Sequence, residues 1–248
     1  MKIIGVIPAR WASTRLEGKI LADIQGKPMI QHVWERAKRC RLLDEVMIAC
    51  DDRRVYMIAK KFGAHVVLTS TDLASGTDRI AEAVKNFKIE IVINIQGDEP
   101  LIDPKTIDAL AEVLIKDKTC VMVTVIKEIT QPNELNNPNV VKVVIDKHKD
   151  AMYFSRSLIP FNRDSKKTNR IRYFKHLGLY GYRKKFLMRF KDLPKSFLEK
   201  VEQLEQLRVL EAGYKIKTIQ THKETISVDT PEDLEHVREL LSLQTNKR

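Results

Sequence analysis

The 248-residue sequence predicts an α/β fold: a Rossmann-like, mainly parallel sheet flanked by helices, with a mixed second-half lobe. Three observations predict it. Short β-branched runs alternate with helical patterns through the first half. Those runs are continuously apolar, as in strands covered on both faces. The polar, unusual segments follow the runs directly, at the strand ends where open α/β sheets bind ligands. A content of 43% hydrophobic and 31% charged residues excludes a disordered chain, a collagen-like fibre and a disulfide-stapled peptide.

Taken in order, residues 3–7 read as a buried strand and residues 28–40 as a helix, with Pro28 near its first turn and Ile30, Val33, Trp34 and Ala37 on its apolar face. Residues 46–49 are the next strand and 53–62 the next helix, with Gly63 where a C-cap glycine belongs. Strands over 66–68, 91–95 and 121–125 alternate with helices over 77–87 and 104–115. The second half changes texture: strands over 140–145, 176–182 and 216–219, a polar basic stretch over 156–175, a helix over 197–213 and a terminal helix over 231–243 that Thr230 can cap. The chain reads as one domain with a first part over about 1–130, a lobe over about 131–225 and a return to the core over 226–248.

The net charge of +11 is regional. Residues 142–200 hold 17 Lys/Arg against 5 Asp/Glu, so the remainder is nearly balanced. Such an excess suggests an anionic partner, whether nucleic acid, nucleotide phosphates or an acidic small substrate. Most of these charges read as solvent-facing. Three cysteines without paired spacing fit a reducing compartment, and the expected location is the cytoplasm. No apolar run approaches the length of a membrane span, and no membrane insertion is expected.

Candidate site residues fall at strand ends. After the first strand, residues 8–19 offer Arg10, Arg15 and Lys19 with two hydroxyls and many main-chain N–H groups, enough to wrap a triphosphate or simply to form a basic surface loop. The glycine spacing fits neither a Walker loop nor a dinucleotide fingerprint. Asp98 follows the fully apolar strand 91–95, and Asp229 precedes the terminal helix. Two such carboxylates can hold one Mg²⁺, or can be a turn residue and a helix cap. Residues 69–79 are dense in short polar groups; Ser75 or Thr77 can cap the next helix, while the hydroxyls can line a pyrimidine. In the second half, His176, Gly178, Tyr180 and Tyr182 share one strand face, and Glu202, Glu205 and Arg208 recur at helical spacing, as on a charged solvated face.

The segment Ile7-Pro8-Ala9-Arg10-Trp11-Ala12-Ser13-Thr14-Arg15-Leu16-Glu17-Gly18-Lys19 resembles the signature of the sugar nucleotidyltransferases, in particular the 3-deoxy-D-manno-octulosonate (Kdo) cytidylyltransferases. The resemblance extends to Ser75-Gly76-Thr77-Asp78-Arg79, Gln96-Gly97-Asp98-Glu99-Pro100, Tyr153-Phe154-Ser155-Arg156-Ser157, His176-Leu177-Gly178-Leu179-Tyr180-Gly181-Tyr182, Leu204-Glu205-Gln206-Leu207-Arg208 and Val228-Asp229-Thr230-Pro231-Glu232-Asp233-Leu234. It implies transfer of CMP from CTP to Kdo for lipopolysaccharide biosynthesis, Mg²⁺ held by Asp98 and Asp229, and a homodimer. Arg10, Lys19, Asp98 and Asp229 would carry catalysis. Ala9, Arg10, Arg15, Lys19, Thr71, Ser75, Gly76 and Gln96 would bind CTP, and Arg156, His176, Tyr180, Glu205 and Gln206 the sugar acid. Glu17 and Ile20 stand where the family has prolines. The resemblance displaces an RNA-binding reading of the basic segment, and no nucleic acid is expected. A cytidylyltransferase for another acidic sugar is the nearest rival.

Overall fold

The computed structural model describes residues 1–12, 16–163 and 171–245. The chain divides into two compact units, Met1–Glu112 with Glu224–Arg248, and Val113–Lys223.

In the first unit, β1 (Ile3–Ala9) is followed by a 3-10 turn at Lys19–Leu21, the small hairpin β2 (Asp23–Ile24) and β3 (Lys27–Pro28), and α1 (Met29–Ala37). Then come β4 (Glu45–Cys50), α2 (Arg53–Lys61), β5 (His65–Leu68), α3 (Gly76–Val84), β6 (Ile91–Asn94) and α4 (Pro104–Lys116), whose residues from Val113 onward belong to the second unit. The strands pair in parallel as β6-β1-β4-β5. Ile4, Val6 and Ile7 of β1 and Val92 and Ile93 of β6 are all fully buried. Helices over both faces leave these strands no polar side, which is why their sequences read as unbroken apolar runs. Gly63 follows α2 with φ +86, the left-handed cap expected of it.

The second unit contains β7 (Met122–Glu128), α5 (Pro132–Leu135), β8 (Lys142–Ile145), β9 (Ala151–Ser155), β10 (Phe174–Arg183), α6 (Lys184–Phe190), α7 (Phe197–Glu202), α8 (Leu207–Glu211) and β11 (Lys217–Gln220). Its sheet is mixed: β7 pairs antiparallel with β10 and parallel with β11, while β8 joins β10 and β9 antiparallel. The chain returns to the first unit as α9 (Pro231–Thr245). Thr230 Oγ1 accepts from the Asp233 N–H, and the Asp233 carboxylate accepts from the Thr230 N–H, so this start is capped reciprocally.

One expectation is corrected. The continuous helix over 197–213 breaks at Gln203, whose φ is +53. Glu199 and Arg208 explain the break. In one straight helix they would lie about 13 Å apart along the axis and on opposite faces. The turn instead folds Arg208 back, and its Nε donates to Glu199 Oε2 at 2.7 Å in a pair that is about nine-tenths buried. Arg208 therefore does not belong to a solvated face. Most of the described basic residues over 142–200 are exposed, as expected, but a few are not. Lys142 is fully buried and donates to the carbonyls of Asn137, Val140 and Arg156 at 2.9, 2.7 and 2.6 Å. Arg183 donates to the carbonyls of Leu114, Asp117 and Lys118. Cations here serve as hydrogen-bond hubs for irregular main chain, which otherwise lacks partners. The signal is invisible in a charge count.

Candidate active site

Asp98 and Asp229, separated by 131 residues in sequence, are brought to one ammonium group. Asp98 lies just beyond β6, after Gly97. A Cβ at position 97 would sit 2.8 Å from the Pro8 carbonyl oxygen and 2.8 Å from Ile20 Cδ1, so only glycine lets this turn approach β1. The Val228 N–H donates to the Asp98 carbonyl at 2.9 Å, which ties the segment before α9 to the end of β6. Lys19, at the start of the 3-10 turn, donates from Nζ to Asp98 Oδ2 at 2.6 Å, Asp229 Oδ1 at 2.9 Å and the Val228 carbonyl at 3.1 Å. Burial works against the Lys19 ammonium, but Asp98 and then Asp229 outweigh it and hold its pKa above the ordinary value.

The donor set fits a magnesium ion. Both carboxylates present an oxygen to the same point, and both remain partly accessible. Among the described residues no group of three or more His, Cys, Asp or Glu gathers as a complete protein cage. Two carboxylates completed by phosphate oxygens and water is the usual arrangement for this ion. Glu99 turns the other way: it is 5% exposed, its Oε2 lacks a hydrogen-bond partner among the described residues, and burial, with Asp98 beside it, pushes its carboxyl up to about 8.

A cleft of about 740 Å³ opens at the carboxyl ends of the parallel strands, lined by Arg10, Trp11, Lys19, Gly76, Gln96, Asp98 and Asp229 among others. Ala9 is the last, fully buried residue of β1, and Arg10 is exposed beyond it. Arg15 lies outside the described residues. The ends of the loop are fastened: the Gly18 N–H donates to the Trp11 carbonyl at 3.3 Å, and the indole N–H donates to Glu17 Oε1 at 3.4 Å. Gly18 has φ +64, and a Cβ there would meet the Trp11 ring at 2.7 Å. Arg54 covers that ring, its Cζ 3.5 Å from the centroid, while Asp52 holds the Arg54 guanidinium. Glu17 therefore belongs to a polar and cation-π cluster.

Of the residues expected to bind the base, Gly76 lines the cleft, whereas the Ser75 hydroxyl caps α3 by accepting from the Asp78 N–H at 3.1 Å. Thr71 is exposed and donates to Asp72. Arg79, in the same motif, is not among the residues lining the cleft. It is fully buried and paired with Asp51 at 2.9 Å, a partner on another element that spacing along the sequence does not show.

The second unit gathers the other predicted residues. β10 carries two extra residues between Leu177 and Tyr180 relative to β7. An even insertion keeps side chains on their original face, so His176, Tyr180 and Tyr182 still stack in sequence, with ring centroids 5.3 and 5.8 Å apart. Thr124 Oγ1 lies 2.9 Å from His176 Nε2, and burial drives the imidazolium down to about 3, so the ring is neutral at physiological pH. Burial first, with Tyr182 and Glu205 adding, raises the Tyr180 phenol well above its ordinary value. Gln206 is 4% exposed and its Nε2 has no hydrogen-bond partner among the described residues. Arg156 is differently engaged: its guanidinium donates to the main-chain carbonyls of Pro138 and Glu202 at 2.9 and 2.8 Å, and Glu202 accepts from the Arg156 N–H and Ser155 hydroxyl.

A family model described as Cytidylyltransferase matches residues 4–219. The chain belongs to the cytidylyltransferase family. Among curated relatives it is 53% identical over 239 residues to a 3-deoxy-manno-octulosonate cytidylyltransferase of Solibacter usitatus, covering 96% of this chain and 94% of that protein. A protein of the same name from Geobacter sulfurreducens is 48% identical over 249 residues, covering 97% and 100%. Among solved structures, a CMP:2-keto-3-deoxy-manno-octonic acid synthetase complexed with CTP superposes with a TM-score of 0.94 at 43% identity, covering 98% of this chain and all of that one. Open α/β sheets bind ligands at the carboxyl ends of their strands, and there Lys19, Asp98 and Asp229 converge.

Proposed function

We propose that this chain transfers the cytidylyl group from CTP to Kdo, giving CMP-Kdo and pyrophosphate. The near-complete similarity to 3-deoxy-manno-octulosonate cytidylyltransferases carries the substrate pair. The observation that carries the chemistry is the convergence of Lys19, Asp98 and Asp229 in a cleft also lined by Arg10 and Gln96. The anomeric hydroxyl of Kdo attacks the α-phosphorus of CTP, and pyrophosphate leaves from the opposite side. Arg10 and Lys19 offset charge on the transferring and leaving phosphates; Gly76 and its neighbours accept the base. Asp98 and Asp229 would hold Mg²⁺, which when bound neutralises phosphate charge as a Lewis acid. Lys19 is then free to turn to the phosphate oxygens.

On the sugar side, neutral His176, the Tyr180 phenol, Glu205 and the orphaned Gln206 amide suit a polyhydroxy acid. A buried donor without a partner is costly to keep, and a ligand oxygen satisfies it. Arg156 supports this region through its main-chain bonds. The product is an activated sugar acid of the kind consumed in lipopolysaccharide biosynthesis. The exposed side chains of Met152, Phe161, Phe197 and Val201 in the second unit support a homodimer formed through that lobe. No helix among the described residues is long and apolar enough to cross a membrane, and the free thiols of Cys40, Cys50 and Cys120 are compatible with the cytoplasm.

The test is a coupled pyrophosphate-release assay with CTP, Mg²⁺ and Kdo, omitting each in turn. Release requiring all three is expected. Equal turnover with a sialic acid in place of Kdo, or release without a sugar acceptor, would overturn the assignment.

A further inference from the structure

Two consecutive aspartates close β4, and neither has a role in the transfer chemistry. Asp51 is the more deeply placed, with its side chain 9% exposed. Its Oδ1 accepts from the Trp11 main-chain N–H at 2.9 Å, at the start of the phosphate-side loop. Its Oδ2 accepts from Arg79 Nη2 at 2.9 Å. Arg79 is fully buried in α3 and its Nη1 donates to Thr69 Oγ1 at 2.6 Å and to the Ser70 carbonyl at 3.2 Å. Thr69 Oγ1 in turn donates to the Cys50 carbonyl at 3.0 Å. One carboxylate thus binds the loop that begins at Trp11 with one oxygen and the segment 69–79 with the other.

We infer that Asp51, acting through Arg79, is a positioning residue that locks the base-side segment 69–79 to the phosphate-side loop at Trp11, so that both ends of CTP meet a single preorganised frame. The inference rests on the cytidylyl-transfer reading of the cleft. A buried guanidinium without a counter-charge is strongly disfavoured, so Arg79 and Asp51 hold one arrangement. The geometry of the pair sets the spacing between the two segments. A ligand that engages both gains from a spacing already set; a fragment that engages one gains nothing from it. Asp52 reinforces the same point from outside, holding Arg54 against the Trp11 ring.

The test uses the full chain carrying D51N, in which an amide oxygen can still accept from Trp11 while Arg79 loses its counter-charge. The double variant D51N/R79Q leaves no uncompensated buried charge and serves if D51N does not fold. Calorimetry measures binding of CTP, CMP and tripolyphosphate, each with Mg²⁺, and steady-state assays measure KM for CTP and for Kdo. A CTP affinity at least tenfold weaker is expected, with CMP and tripolyphosphate each within threefold of wild type and KM for Kdo unchanged. CTP affinity within threefold of wild type would overturn the inference. So would equal weakening of all three ligands, since the pair would then support only the fold. Failure of the wild-type chain itself to bind CTP would instead refute the functional reading on which the inference rests.

Discussion

Replacing Lys19 by Met removes the ammonium that joins the two carboxylates while keeping the length of the side chain. In the absence of metal, Asp98 and Asp229 then face one another without the cation that now bridges them at 2.6 and 2.9 Å. Charge-assisted hydrogen bonds contribute about 1.5–3 kcal/mol when buried. Here the three side chains are 15%, 23% and 40% exposed, so solvent screening reduces the net loss. A destabilisation of about 1–2 kcal/mol is expected once that screening is included, or about 2–8 °C in Tm for a chain of this size. Because a divalent cation can replace the lost charge, MgCl₂ should raise the Tm of K19M more than that of the wild type. Turnover should fall about 10²–10³-fold, the usual consequence of removing one preorganised electrostatic donor. Differential scanning fluorimetry with and without Mg²⁺, together with the pyrophosphate assay, measures all three. Turnover within threefold of wild type, or a Tm loss that Mg²⁺ leaves untouched, would refute the shared carboxylate-ammonium site.

Three other outcomes follow from the geometry. G97A forces a methyl group to within 2.8 Å of the Pro8 carbonyl oxygen and Ile20 Cδ1, and overpacking of this kind should cost about 1–3 kcal/mol in chemical denaturation, with loss of activity as Asp98 shifts. R208A strands the Glu199 carboxylate in a site about nine-tenths buried and should cost about 3–5 kcal/mol, while E199Q/R208M of similar volume should recover most of it. His176 is depressed to about 3 when folded against an ordinary value near 6.5, so the unfolded chain binds its proton first as pH falls. Stability from this residue is present above pH 6.5 and is lost progressively down to about pH 3. Between pH 7 and 5 the loss should be about 2 kcal/mol, and H176Q should remove that part of the pH dependence in denaturant titrations.

Sequence and structure divide the description unevenly. The parallel half was legible because its strands are buried on both faces, so Ile4, Val6, Ile7, Val92 and Ile93 had to be apolar whatever their partners. Local signals were equally plain: Gly63 ends α2 and Thr230 caps α9 through atoms within a few residues. The second unit was less legible. The break at Gln203 arises from a pair nine residues apart, and a window of sequence cannot distinguish Glu199 and Arg208 as an internal pair from the same residues on a wet helix face.

By itself the sequence determined the fold class and, through resemblance, named the candidate site residues. Tertiary structure alone decided which of them meet. Asp229 reaches Asp98 because a Val228 N–H finds the Asp98 carbonyl and because Gly97 admits the close approach to Pro8. The basic residues that set the net charge proved to include Lys142 and Arg183, committed to main-chain carbonyls inside the second unit. A charge count records how many cations a chain carries. Whether each is solvated or paired is set by the three-dimensional arrangement of acceptors, and acceptors on the main chain have no letter in the sequence.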